Sequence, residues 1–389
     1  MKLAPRMTGL GSEGAFEVLA KAQRLEAEGM DVIHLEIGEP DFDTPGNIVA
    51  AAAEALRQGH TRYGPSPGFT EVRERIAQAV SRTRNIPVSG DNVVITPGGK
   101  PIIFFTILAL VDRGDEVLYP NPGFPTYESV IRLAGGVPIA MKLHEAKGFN
   151  VDVEEVARQI TAKTRLMILN SPNNPCGSVT AREDLEALAS LAQRNDLIVL
   201  SDEIYSRFIY EGQHYSVASF PGMQGRTVLL DGFSKTYAMT GWRVGYAVAP
   251  KAFIGQMKKV QEASTTCAVP FCQKAAIQAI TGPQDSVVRM RDEFNRRRML
   301  LVEGLNKIPG ISCRVPKGAF FAFPNIKALG VTGAQLSEHL LKDAKVVTVP
   351  GSGFGKYGEG YIRLSYASSQ ENIKKALERM GESISKLKR

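Results

Sequence analysis

The 389-residue chain has few cysteines, one tryptophan and no long apolar run, and these absences exclude several classes of protein. Its four cysteines match no zinc-site spacing, so we expect reduced thiols in a cytosolic protein: Cys176, Cys267, Cys272 and Cys313. No run approaches the ~20 apolar residues of a membrane span, and the N-terminus lacks the sustained apolar region of a signal peptide. The sequence therefore predicts a soluble, cytoplasmic protein without a membrane partner.

The charge pattern argues against a nucleic-acid partner, although the net charge is +7 and the pI is near 9.1. Basic and acidic residues are interleaved, and the small basic run at 386–389 is explained by a solvated helix end. Anionic small molecules are better partners for the excess positive charge. The five histidines form neither a metal cluster nor a Ser/His/Asp order, so no metal is expected.

The length and the apolar content of 43% predict two domains. Between residues 46 and 280, helical patterns alternate with short apolar runs, which is typical of an α/β domain whose mostly parallel central sheet is sandwiched by helices. Residues 281–389 read as a smaller α+β domain, with an N-terminal arm and helix at 1–45 packing against it. The runs expected to form strands are Val93–Ile95, Glu116–Tyr119, Leu166–Leu169, Leu197–Leu200, Val228–Leu230 and Val244–Val248 in the large domain, followed by segments near 312–314, 319–323 and 361–365.

Lys235 lies in a loop of small residues just after an apolar strand, where open α/β sheets place ligands. A lysine forced toward an apolar interior must pair or lose its proton, and the neutral amine is the form that makes a Schiff base. A solvated loop lysine is the alternative interpretation.

Two further strands end in polar groups that would lie at the same edge. Asp202 follows Leu197–Leu200, where a buried carboxylate needs a cationic partner such as a protonated pyridine nitrogen. A helix N-cap is its alternative role. The turn Ser171-Pro-Asn-Asn174-Pro-Cys-Gly177 would fix Asn174 for hydrogen bonding, although a rigid turn needs no function.

A fourth strand leads into Gly98-Gly99-Lys100, where two glycines open a helix. Free backbone N–H groups and the positive helix end suit a phosphate there. The loop that carries Lys235 also supplies an arginine, Arg243. A phosphorylated aldehyde cofactor with a ring nitrogen would use the amine, the carboxylate, the amide, the glycine cradle and the arginine together.

At these residues the chain resembles the class I aminotransferases, pyridoxal-phosphate enzymes of fold type I, and looks most like bacterial aspartate aminotransferases. The likeness extends from Gly38-Glu-Pro-Asp-Phe-Asp-Thr-Pro45 to Ser365-Tyr-Ala-Ser-Ser. The lysine block, the Ser171–Gly177 turn and Ser201-Asp-Glu-Ile-Tyr205 occur in a highly specific order and spacing.

The resemblance implies a role for each of these residues. Lys235 forms the Schiff base and carries the proton, Asp202 keeps the pyridine nitrogen protonated, and Tyr205 assists. Arg363 clamps the α-carboxylate of the substrate with a bidentate fork. The other implied contacts to cofactor or substrate come from Gly38, Tyr63 of a partner subunit, Gly99, Lys100, Phe124, Asn174, Ser234 and Arg243.

The implied activity is transfer of an amino group between an L-amino acid and a 2-oxo acid by a ping-pong mechanism, in a homodimer because Tyr63 acts across an interface. Aspartate and 2-oxoglutarate are the leading substrates. Near the N-terminus, Ala15 and Phe16 offer no hydroxyl and would suit an apolar side chain, so alanine, aromatic or other apolar amino acids remain alternatives. Lys100 could still recognise a distal carboxylate.

Three departures from the family pattern remove no catalytic group: Cys176, Phe321 and Phe124 stand where threonine, tyrosine and tryptophan are common. A pyridoxal-phosphate lyase would keep Lys235 and Asp202 and remains open. A transcription regulator of this fold would carry an appended DNA-binding domain, for which we expect no room ahead of the first helix.

Overall fold

The computed structural model describes residues 2–10 and 14–387, without the side chains of residues 8, 9 and 14–17. The described strands are β1 (Ile33–His34), β2 (Val93–Thr96), β3 (Glu116–Asn121), β4 (Val137–His144), β5 (Asn150–Val151), β6 (Thr164–Asn170), β7 (Ile198–Asp202), β8 (Thr227–Gly232), β9 (Gly245–Val248), β10 (Phe321–Ala322), β11 (Val346–Val347), β12 (Val349–Pro350) and β13 (Ile362–Ser365).

The first described α-helix is α1 (Gly14–Ala27), and α3 (Thr70–Arg84) is the last α-helix before β2 in the sequence. The others are α2 (Gly46–Arg57), α4 (Lys100–Leu110), α5 (Thr126–Leu133), α6 (Val153–Gln159), α7 (Arg182–Arg194), α8 (Lys251–Ser264), α9 (Pro270–Thr281), α10 (Asp285–Leu305), α11 (Gly333–His339) and α12 (Gln370–Leu387).

The central feature is an eight-stranded sheet in the order β2-β9-β8-β7-β6-β3-β4-β5. Strands β3, β4, β6, β7 and β8 run parallel, whereas β9 is antiparallel to both of its neighbours and β5 to β4. The six runs expected to be strands between residues 93 and 248 are all confirmed. The sequence did not indicate β4, because most of its residues are only partly buried and its apolar pattern is weak.

Helices cover both faces of this sheet, as the apolar strands require. Successive residues of β6 point to opposite sides: Leu166 and Ile168 pack with Ile102 of α4, whereas Met167 packs with Leu188 of α7. This period of two places a buried layer on each side. The α/β fold with a mostly parallel, helix-covered sheet is therefore confirmed.

The C-terminal part contains a three-stranded antiparallel sheet, β10-β13-β12, and a separate two-stranded sheet that includes the N-terminal strand β1. Strand β1 pairs with β11 in parallel, and Ile33 lies in one apolar cluster with Phe320 and Leu364. The expected strand near 312–314 is wrong, since Ser312 makes only an isolated bridge to Asn325. The domain boundaries at 45/46 and 280/281 stay a prediction.

Two absences concern function. None of the helices in residues 2–10 and 14–387 combines the length and the apolar content needed to cross a membrane. Within the same residues, no group of His, Cys, Asp or Glu side chains could hold a metal ion. The cytoplasmic location stays a prediction.

Candidate active site

The carboxyl ends of β6, β7 and β8 bring the candidate residues to one edge of the sheet. In the parallel register, Asn170 lies beside Asp202, and Asp202 lies beside Leu230. Strand β8 then continues into the loop that carries Ser234 and Lys235. Neighbouring strands are about 5 Å apart, so the groups that follow them share one pocket.

Asp202 is a buried carboxylate at the end of β7, with a side chain held from two directions. Its Oδ2 accepts a 2.7 Å hydrogen bond from the hydroxyl of Tyr127, and its Oδ1 accepts a 3.2 Å bond from the N–H of Ile204. Burial raises the pKa of Asp202 to about 6, although these hydrogen bonds oppose the rise. Residues 204–207 form a turn and begin no helix, so the helix-cap interpretation is wrong.

Lys235 is partly buried, and its Nζ donates a hydrogen bond to the carbonyl oxygen of Gly38. Desolvation lowers the pKa of Lys235 to about 8; Glu39 opposes this, and the positive charges of Arg243 and Arg363 add to it. The solvated-loop interpretation is therefore wrong. Near neutral pH a usable fraction of this amine is unprotonated, which is what a nucleophile or proton acceptor needs.

Arg363 on β13 is buried and lies against the turn that follows β6. Its Nη1 donates to Oδ1 of Asn174 at 3.0 Å, and its Nη2 donates to the carbonyl oxygen of Glu36. The guanidinium carbon lies 4.5 Å from the ring centroid of Phe321 and 4.8 Å from that of Phe354. Two aromatic rings thus fix the plane of a cation that can bind a carboxylate through a fork.

The glycines before α4 bring Arg243 close to a helix N-terminus. Gly98 has a φ of +87°, and a Cβ built there would lie 2.3 Å from Nη2 of Arg243. A Cβ on Gly245 would lie 2.6 Å from the carbonyl carbon of Gly98. Only glycine allows this close approach. The first N–H groups of a helix have no intrahelical partner, so they and the guanidinium can bind one anion.

The aromatic and small residues complete the pocket. The ring of Phe124 lies 5.4 Å from Nζ of Lys100 and packs edge-to-face on Tyr127. Tyr205 is buried edge-to-face between Phe320 and Phe321. A Cβ on Gly38 would come within 3.2 Å of the Phe321 ring.

Four predicted residues lie apart from this description or at its margin. Tyr63 is 88% exposed in the single chain, and its action across an interface stays a prediction. The expectation for Ala15 and Phe16 lies outside the described side chains. Ser234 is buried in the loop just before Lys235.

Sequence reasoning missed Tyr127 and Phe354, which hold Asp202 and Arg363 respectively. Tyr127 follows Phe124 by three positions at the start of α5. The N–H of Tyr127 bonds the carbonyl of Phe124 in the turn that leads into α5, and this three-residue spacing was the available signal. No local pattern indicated Phe354.

Comparisons with known proteins agree with this geometry. The model of the family "Aminotransferase class I and II" matches residues 30–380. An aspartate aminotransferase of Pyrococcus abyssi is 45% identical over 359 residues, covering 91% of this chain and 92% of that protein. An aromatic-amino-acid aminotransferase of Thermococcus litoralis is 42% identical, with 98% and 97% covered. The structure of the Thermus thermophilus aspartate aminotransferase with maleate superposes with a TM-score of 0.95 at 39% identity, with 98% and 100% covered.

Proposed function

Since this chain belongs to the class I and II aminotransferases and is therefore a transaminase, we propose that it works with pyridoxal 5′-phosphate at Lys235 and uses aspartate and 2-oxoglutarate as its leading substrates. Relatives of this family depend on that cofactor. The observation that carries the proposal is the amine of Lys235, whose pKa burial lowers to about 8 at the sheet edge that also carries Asp202.

The residues present fit pyridoxal phosphate group by group. Because Gly98 has no side chain, the guanidinium of Arg243 lies close to the N-terminus of α4, and both can bind the phosphate. Asp202 is a buried carboxylate, and a protonated pyridine nitrogen would be a suitable cationic partner for it. Phe124 offers a ring face for stacking.

Bound pyridoxal phosphate would supply an aldehyde for the lysine and a ring that withdraws electrons from the amino acid. The protein's own groups do the rest. The fork of Arg363 and the amide of Asn174 would bind the α-carboxylate of the substrate and orient its Cα–H bond toward Lys235. Nζ of Lys235 would then take the Cα proton and later return it. Asp202 would keep its negative charge against the ring nitrogen.

The remaining contacts follow the same proposal. The phosphate would be held by the N–H groups of Gly99 and Lys100 together with Ser234 and Arg243, and Tyr205 would bind the ring hydroxyl with Asn174. Tyr63 would reach the phosphate of the partner subunit in a homodimer, which its exposure supports. Gly38 would line the substrate pocket beside Phe321.

The substrate is tested by adding single amino acids to the cofactor-loaded protein and following its conversion to the amine form by absorbance. We expect aspartate to react faster than phenylalanine or alanine. Lys100→Met should slow the reaction of aspartate about tenfold or more and that of alanine far less, because the ammonium beside Phe124 would contact the distal carboxylate, which alanine lacks.

Faster conversion by phenylalanine would replace the aspartate assignment with an aromatic one, which the relative from Thermococcus litoralis makes a specific alternative. An equal effect of Lys100→Met on both amino acids would reject the role of Lys100. Release of ammonia and a 2-oxo acid without an amino acceptor would instead indicate a lyase.

Cofactor capture by the apoprotein should accelerate with pH and level off above about 8. The neutral amine is the nucleophile, and the folded-state pKa of Lys235 lies near 8 instead of its ordinary 10.5, so the rate should rise roughly tenfold per pH unit only below that value. Stopped-flow absorbance after mixing apoprotein with pyridoxal phosphate measures the profile. A midpoint near 10.5 would show that the protein does not lower this pKa.

A further inference from the structure

A buried group of charged side chains lies at the ends of β7 and β8, next in sequence to the candidate cofactor residues. Arg84, the last residue of α3, donates from Nε to Glu203 at 2.8 Å. Its Nη2 donates to Oδ2 of Asp231 at 2.7 Å and to Oγ of Ser206 at 2.8 Å. All four residues are less than 10% exposed. We call Arg84, Glu203 and Asp231 the Arg84 cluster.

The two carboxylates of the Arg84 cluster belong to the segments that carry the candidate catalytic residues. Glu203 directly follows Asp202, and Asp231 lies in β8, four residues before Lys235. The backbone links the same segments, since the N–H of Glu203 donates to the carbonyl of Leu230. One guanidinium therefore joins the end of β7 to the end of β8 from a third element, α3.

We propose that Arg84 is a positioning residue for the cofactor site, which fastens the Asp202 turn to the Lys235 strand and balances the charge of two carboxylates behind Asp202. This inference rests on the proposed function. The side-chain hydrogen bonds of Arg84, Glu203 and Asp231 given above reach neither Asp202 nor Lys235, so the Arg84 cluster acts through the backbone and through its electric field.

The charged and titratable groups around Asp202 explain how Arg84 would balance charge at the site. Facing it or its immediate neighbours are Tyr127 of α5, Tyr205 and Glu203 of the turn, Asp231 of β8, Arg84 of α3, His214, which bonds Glu203, and Tyr246 of β9. Apart from desolvation, Asp231 and Glu203 push the pKa of Asp202 upward. Arg84 acts to lower the pKa of both carboxylates, and His214 and Arg84 hold the pKa of Glu203 at about 2 against the effect of burial.

The geometry requires an arginine at this position. Nε and Nη2 of one planar fork reach two carboxylates on different segments, whereas the ammonium of a lysine is a single point that cannot hold both at the same spacing. Loss of one partner would leave a buried charge uncompensated, which is strongly destabilising in general. The experiment must therefore distinguish a role of Arg84 in folding alone from a role of Arg84 at the cofactor site.

The test compares Arg84→Lys with Arg298→Lys, a matched control. Arg298 is equally buried and also bonds a carboxylate, Glu211, and a backbone carbonyl, that of Pro316, but it joins no segment of the site. Melting temperature, the dissociation constant of pyridoxal phosphate from the apoprotein, and the pH midpoint of the visible absorption of the loaded protein are measured for each. We expect both variants to lose stability, and only Arg84→Lys to bind the cofactor at least about tenfold more weakly.

Asp231→Asn is the second variant, because it preserves shape and leaves Arg84 paired with Glu203. Removal of a negative charge lowers the pKa of any neighbouring group, so its pH midpoint should fall by about 0.5 unit or more. The same midpoint in the wild type and in Asp231→Asn, together with equal cofactor affinity in the two lysine variants, would overturn the inference. A wild type that binds no pyridoxal phosphate would reject the proposed function, and this inference with it. If Arg84→Lys does not fold, the midpoint of Asp231→Asn decides alone.

Discussion

Replacement of Lys235 by alanine should abolish the visible absorption of the cofactor-loaded protein and reduce transamination by at least about a thousandfold. On the proposed mechanism, the variant would lose both the amine that joins the cofactor and the base that moves the Cα proton, and general acid–base catalysis alone contributes roughly 10²- to 10⁴-fold. Nζ of Lys235 donates a hydrogen bond to the carbonyl oxygen of Gly38, and burial lowers the pKa of this amine to about 8.

Lys251→Ala is the matched control, since Lys251 is exposed and pairs with Asp91 at the surface. It should keep both the absorption and the activity. A Lys235→Ala protein that is still yellow and active would contradict the assignment, and loss of activity in both variants would point to a general defect.

Replacement of Arg363 by lysine should raise the KM for the amino acid roughly ten- to a hundredfold while cofactor affinity changes little. A charge-assisted hydrogen bond contributes about 1.5–3 kcal/mol, and an ammonium cannot reproduce the bidentate fork. The variant would also lose the planar stacking between Phe321 and Phe354.

Steady-state kinetics and a cofactor titration of the same variant separate the two effects. An unchanged KM would show that Arg363 does not bind the α-carboxylate. A parallel loss of cofactor affinity would assign Arg363 to the architecture of the pocket, through its contacts with Asn174 and Glu36.

The sheet edge could be predicted from the sequence because the signals for it lie in short, local stretches of the chain. Each strand there is a short apolar run that ends in a polar residue, and carboxyl ends of parallel strands meet by geometry. Asp202 could therefore be placed beside the Asn174 turn and near the Lys235 loop without any knowledge of long-range contacts. Gly98 could be predicted in the same way, because two glycines between a strand and a helix indicate a phosphate site.

The residues that support this edge could not be predicted in the same way. Arg84 lies 119 positions before Glu203 and 147 before Asp231, and nothing around it in the sequence indicates that it is buried. Phe354 reaches Arg363 only once β12 and β13 have paired. Such contacts depend on tertiary packing, which short sequence patterns do not encode.

The most direct test of the central claim is reduction of the pyridoxal-phosphate-loaded protein with borohydride, followed by proteolysis and mass spectrometry of the peptides. Reduction makes a Schiff base permanent, so the site of attachment can be read from the sequence of the modified peptide. We predict a single pyridoxyl phosphate adduct on Lys235. An adduct on Lys100 or another lysine, or a protein that carries none, would contradict the account.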